Sequence, residues 1–246
     1  MNIGDVLETA DRLYPNNFTI REKLGWCSDV SHTIRNEVNK RYDFIRTDAD
    51  GVLDAVSKVG IDRVQSVMTK ERTFPKSNVR NWSSGGIVPD DVSGEVRVVY
   101  LINSKPFRYA RYNGDITIKN NFIVFGGAHD FEDGDVILVG TAKREEPYEV
   151  TASQTGESIR LIGAAIPDYS GEAVVEKKLC DALECDAPYD YMYVDYLIGK
   201  MCFYQNDFES CNQHMAQYNN KMALYQRFIK SRDSYANDAN FRGYWS

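Results

Sequence analysis

The chain has 246 residues, 43% apolar and 26% charged, with a formal net charge of −7. That composition suits a globular protein with a buried core, built as one domain of about 200–250 residues or as two smaller ones. The acidic balance argues against a nucleic-acid binder that grips phosphates through counterion release. No apolar run reaches the roughly 18 residues of a membrane span, so no membrane partner is expected. The opening MNIGDVLETADR lacks the apolar core of a secretory signal. The five cysteines (Cys27, Cys180, Cys185, Cys202, Cys211) include no CxxC pair and read as reduced thiols of a cytosolic protein.

The first element is a helix, with Ile3, Val6, Leu7, Ala10, Leu13 and Tyr14 on one face and a stop at Pro15-Asn16-Asn17. The stretch TIRE, Thr19 to Glu22, is a capping box that opens a second helix. Its face is Ile20, Leu24, Cys27, Ile34 and Val38, and the spacing predicts a helix to about Tyr42. Residues 50–70 are ambiguous, because Val52, Val56 and Val59 suit a helix while Gly51, Gly60 and the β-branched content weaken it.

Beyond that the period becomes two. Strands are expected at 95–103, 116–119, 122–125, 135–141, 148–152 and 158–163. The turn signals between them are Asn113-Gly114, Asn120-Asn121, Gly126-Gly127 and Asp133-Gly134. Short strands at this spacing imply a small antiparallel sheet or barrel. After Ser170 the helical period returns. A helix is expected from Asp186-Ala-Pro188, carrying Tyr189, Met192, Tyr193, Tyr196, Leu197, Met201 and Phe203. Gln205-Asn206-Asp207 is a joint, and Asn206 can cap the next helix. That helix carries a seam of Phe208, Cys211, Met215, Tyr218, Met222 and Tyr225, with Ile229 beyond, at steps of three and four. A short joint makes the two helices an antiparallel hairpin. Asn219 and Asn220 fall off the seam, on the polar side.

The predicted fold is therefore α+β: a helical body of about four helices with a β-rich insertion between helices 2 and 3. The expected boundaries are 1–46 for the N-terminal helices, 47–175 for the insertion, 176–235 for the helical hairpin and 236–246 for a tail.

Candidate chemistry is sparse. His32, His129 and His214 lack metal spacing. FGGAHD at 125–130 is not followed by GK[ST] and reads as a hairpin connection. TDADG at 47–51 starts like a calcium loop, but Val52 and Val59 occupy positions that need oxygen ligands. The acidic run Asp130, Glu132, Asp133 and Asp135 reads as a solvated turn. No catalytic, metal or cofactor residues are assigned, and no enzyme activity is expected. Sixteen tyrosines are divided between two readings, a half-buried core and an interface. The tail NDANFRGYWS ends in Phe241, Arg242, Tyr244 and Trp245, which reads as an anchor for a partner.

Two stretches carry a family resemblance. The first is the opening helix, Tyr14-Pro15-Asn16, the capping box, LGWCSD at 24–29 and the helix through Ile34 and Val38. The second comprises APYD at 187–190, Tyr193, Tyr196-Leu197, Phe203-Tyr204 and YNNKMAL at 218–224. Together, over about 1–42 and 186–232, they resemble head–tail connector proteins of tailed prophages of Gram-positive hosts. The resemblance implies a non-enzymatic virion protein of the neck, present in the host cytoplasm during assembly, that forms a ring of typically twelve copies under the portal protein. It implies a DNA channel without specific DNA binding, a neck, stopper or tail protein as the next partner, and a C-terminal tail on the portal. Alternatives are another neck or tail component, or a carbohydrate-binding module using Trp82, Tyr100, Phe107, Tyr109 and Tyr112.

Overall fold

The computed structural model describes residues 1–243 except 39, 41, 91, 103, 143–145 and 156–157; side chains are described to residue 232, again without 154–155. Within those residues lie six α-helices and ten strands, grouped into two compact units.

The first unit comprises Met1–Ser28, Pro106–Leu183 and Asp190–Met215. Helix α1 (Ile3–Leu13) begins at a reciprocal box: the Asn2 side chain accepts from Asp5 N–H at 2.9 Å, and the Asp5 carboxylate accepts from Asn2 N–H at 2.8 Å. It buries Ile3, Val6, Leu7 and Ala10, the spacing that defines an apolar stripe. Gly4 is required here, because a Cβ at that position would stand 2.5 Å from the Leu179 carbonyl. Helix α2 (Ile20–Thr33) opens with the Thr19–Glu22 box, and the buried Lys23 ammonium grips both Asp11 oxygens at 2.8 Å. Helix α5 (Tyr191–Tyr204) starts at Asp190, whose carboxylate caps Tyr191 N–H, not at the Pro188 turn. It is buried on most of its circumference, as its apolar content requires.

The same unit holds a closed barrel. Its strands are β5 (Arg111–Lys119), β6 (Phe122–Phe125), β7 (Val136–Thr141), β8 (Tyr148–Thr155), β9 (Ser158–Ile162) and β10 (Tyr169–Lys177), in the order β10-β5-β6-β9-β8-β7. All pairings are antiparallel. Inward residues such as Ile116, Ile118, Ile123, Ile137, Val139, Ile159 and Leu161 fill the interior. The β5–β6 turn places Asn120 and Asn121 at φ 51° and 61°, the left-handed region that asparagine tolerates better than most residues. Asn121 then ties the barrel shut: its carbonyl accepts from Leu161 N–H at 2.8 Å and its side chain from Ile166 N–H at 3.2 Å.

The second unit comprises Asp29–Lys105, Glu184–Tyr189 and Ala216–Ser246. Its strands β1 (Tyr42–Thr47), β2 (Val64–Met68), β3 (Thr73–Pro75) and β4 (Val96–Leu101) form an open antiparallel sheet in the order β1-β4-β2-β3. Helices α3 (Val52–Val59) and α4 (Lys76–Ser83) contribute Val52, Val56, Val79 and Trp82 to a core with Val64, Val67, Phe74, Val96 and Val98.

This architecture corrects the expectation of a helical body carrying one β-rich insertion. The residues between α2 and α5 build two different β structures, a closed barrel and an open sheet with two helices of its own. Helix α2 stops at Thr33, passes into a π-turn over Ile34–Val38, and β1 follows from Tyr42. Ile34 and Val38 continue the helical period in sequence, which hid the change. Strand β10 and strands β1, β2 and β3 were not expected, and Asn113-Gly114, read as a turn, lies inside β5.

Helix α6 (Phe208–Gly243) is 36 residues long. Its backbone is helical through 237–243, where an irregular tail was expected. Tyr244 and Trp245 lie outside the described residues, as do the side chains of Phe241 and Arg242.

Candidate assembly surface

The six seam residues of α6 do not share one environment. In the first unit, Phe208 is exposed while Cys211 and Met215 are half-buried. Met215 lies against Gly199 of α5, where a Cβ would come within 2.8 Å of the methionine sulfur, so glycine sets how closely the helices approach. In the second unit, Tyr218, Met222, Tyr225 and Ile229 are buried. The rings of Tyr189, Tyr225 and Phe228 pack together, with Tyr189 and Tyr225 centroids 5.1 Å apart. Burial, with Asp186 as the next contribution, pushes the Tyr225 hydroxyl up to about 12. Asn219 and Asn220 are exposed.

Exposed aromatics concentrate at the elbow between α5 and α6, within the first unit. Phe203, Tyr204 and Phe208 are 53%, 56% and 56% exposed. Tyr204 stacks on Trp26 at 5.4 Å and 14°, and Phe18 meets Trp26 edge-on at 5.2 Å. Phe203 bridges Tyr204 at 5.5 Å and Phe208 at 6.2 Å. Three elements thus contribute to one continuous aromatic surface: α2, the segment before it, and the α5–α6 joint. The joint is fixed by Asn206 at φ 62° and by the Asp207 carboxylate, which caps Ser210 N–H at 3.2 Å. Beneath it the Tyr14 hydroxyl is pushed up to about 12, by burial first and then by the Cys202 thiol it meets; burial likewise raises that thiol. Cys202 is fully buried, and the raised thiol favours its protonated form. The sequence reading divided the aromatics between core and interface; their repeated placement around one short joint was the available signal.

The acidic run at 130–135 is not uniformly solvated. Asp135 is buried and forms an ion pair with Arg108, while the buried Lys177 lies 3.5 Å from Asp135 and 3.0 Å from Asp181. Arg108 also reaches Glu132 at 3.3 Å and the Asp130 carbonyl. This network ties residue 108 to the β7 and β10 ends of the barrel. Alongside it, a cleft of about 610 Å³ is lined by Arg21, Gly25, Phe107, Arg108, Asp130 and Glu132, whose opposite charges are already paired.

The other candidates separate. His214 stands 3.5 Å from the buried Asp195, His32 contacts Asn36, and His129 packs on Phe125. No group of three or more His, Cys, Asp or Glu with metal-binding geometry occurs among the described residues. No helix in the described residues is long and apolar enough to cross a membrane. The aromatics considered for sugar binding have partners within the chain: Trp82 in the sheet core, Tyr100 on Asp43 at 3.3 Å, Tyr109 on Glu176 at 2.9 Å, Tyr112 on the Asp115 carbonyl at 3.0 Å and Phe107 on Tyr193. No protein-family model, curated protein or solved structure matches the chain.

Proposed function

We propose that this chain is a structural adaptor of a tailed-phage particle, one subunit of a ring beneath the portal that extends the DNA channel toward the neck or tail. The observation that carries the reading is the aromatic elbow. Phe203, Tyr204 and Phe208 leave a contiguous apolar area in water, rimmed by Asn206 and Glu209, and such areas are characteristic of protein–protein contacts. Its position supports the reading further, since both family-like stretches contribute to it: Trp26 comes from the first, Phe203 and Tyr204 from the second.

In this reading the work is done by surfaces rather than by a reaction centre. Two different faces per subunit form a heterologous contact that closes by rotation, and twelve copies follow the family pattern. The net charge of −7 suits a channel through which DNA passes without being held. Phe241, Arg242, Tyr244 and Trp245 are the portal-binding residues, and a neck, stopper or tail protein docks on the opposite side. The sugar-binding alternative is disfavoured by the committed aromatics, Trp82 above all.

Co-sedimentation of the purified protein with its portal, followed by negative-stain imaging, tests the proposal. A ring of added density under the portal is expected. Full-length protein left in the supernatant at saturating concentration overturns it. Removal of 237–246 should abolish attachment; undiminished attachment would move the portal contact to the helices.

A further inference from the structure

The first unit carries a second exposed apolar area, on the outer face of the barrel. On β6 the residues alternate strictly: Ile123 is fully buried, while Phe122 and Val124 face out. On β9 Ile159 and Leu161 are buried, while Arg160 and Ile162 face out. The register sets Arg160 directly opposite Phe122, and Lys119 opposite Phe122 on the other side. The result is a strip of apolar side chains carrying two cations. Val124 and Ile162 are each 49% exposed. A depression of about 790 Å³ lies beside it, walled by Phe122, Ile162 and Ile166. Nothing in the barrel's own packing requires these apolar residues outside, since the interior is already filled by their neighbours in sequence.

The geometry points to a contact between copies, in which the aromatic elbow of one subunit seats on the β6–β9 strip of the next. It rests on the reading of this chain as a ring subunit and names the surfaces that make the ring. The two areas are chemically unlike. The elbow presents projecting aromatics with Asp207 and Glu209 beside them in sequence; the strip presents a depression with Lys119 and Arg160 flanking Phe122. Lys119, Arg160 and Glu209 are exposed, so their charges face a neighbour. A second copy supplies the match: aromatic rings for the depression, and an acidic rim for Arg160, whose guanidinium can also lie over a ring. Because elbow and strip belong to different elements, the contact is heterologous. It leaves one of each exposed on every dimer and propagates until it closes.

The test exploits that asymmetry. Phe208→Asp disables the elbow and Ile162→Asp disables the strip, and both positions are exposed enough for the fold to survive. Phe208→Ser and Ile162→Thr serve if either does not fold. By sedimentation velocity over rising concentration, the unmodified protein should form species larger than a dimer. Each variant alone should remain monomeric, with apparent self-association weakened at least about tenfold, the scale of one lost anchor. Their equimolar mixture should form a dimer and stop there, because only one intact elbow and one intact strip can meet. In the same series Arg160→Glu should weaken association, and mixing it with Glu209→Arg should recover it. Unchanged association in both single variants, a monomeric mixture beside an assembling parent, or a parent that stays monomeric throughout overturns the contact. Failure here with intact portal co-sedimentation sinks this contact alone. Assembly through these faces without portal binding sinks the adaptor role alone.

Discussion

The barrel and the four-stranded sheet solve the same problem in opposite ways. Every barrel strand pairs on both edges, and the β5–β6, β7–β8 and β8–β9 pairs join consecutive strands. The sheet is open, and β1 pairs only with β4, Tyr42 against Leu101 across more than fifty residues of intervening chain. Local pairing lets turns dictate register; distant pairing leaves register to the buried face, because slipping by one residue would turn Ile45 outward. The difference teaches where each structure is vulnerable: the barrel at its ties, the sheet in its core.

The largest effect is expected at the barrel's ionic tie. Asp135→Ala leaves the buried Lys177 and the half-buried Arg108 without their shared carboxylate, at a cost of about 3–5 kcal/mol, measurable by urea denaturation. The matching change in the sheet, Glu95→Ala, takes a half-exposed carboxylate from beside the buried Arg97, whose guanidinium still lies over the Phe44 ring at 5.1 Å, and should cost about 1–2 kcal/mol. Equal losses would erase the contrast. Next comes the turn. Asn121→Ala places alanine at φ 61° and removes the tie to Ile166, for about 1–3 kcal/mol, whereas Asn121→Gly should recover the backbone part of that loss.

Alkaline pH tests both units at once. Tyr14 in the first and Tyr225 in the second hold their protons to about 12 when folded, against an unfolded value near 10. Above pH 10 the unfolded chain therefore binds fewer protons than the native one. The stability contribution is complete below pH 10 and is lost as pH rises through 12. Ultraviolet titration should show at least two late tyrosines in the native protein, and replacing Tyr14 and Tyr225 by phenylalanine should flatten the decline. Early titration of all tyrosines would contradict the burial of both hydroxyls.

The smallest effects belong to the exposed surface. Phe208→Ser, and Asn219→Ala with Asn220→Ala, should each change stability by no more than about 0.5 kcal/mol, by thermal unfolding. A loss above about 2 kcal/mol from the asparagine pair would mean that they are structural after all.

What the sequence determined by itself is the local part of this protein. Thr19 to Glu22 marks a helix start because a cap and its reciprocal carboxylate lie three residues apart. Asn120-Asn121 marks a hairpin because few other residues enter the left-handed region so cheaply. Alternation along 122–125 and 158–162 distinguishes inside from outside because side chains in a strand repeat every two residues. Tertiary structure alone decided the rest. Whether the β segments form one structure or two depends on pairings such as Tyr42 with Leu101, which no local rule specifies. Whether Asp135 is solvated depends on Arg108 arriving from the segment before β5 and Lys177 from β10. Phe208 continues the same heptad seam as Tyr225, yet Phe208 is exposed and Tyr225 is buried, because periodicity places residues on one face of a helix and only neighbouring elements decide which part of that face is covered.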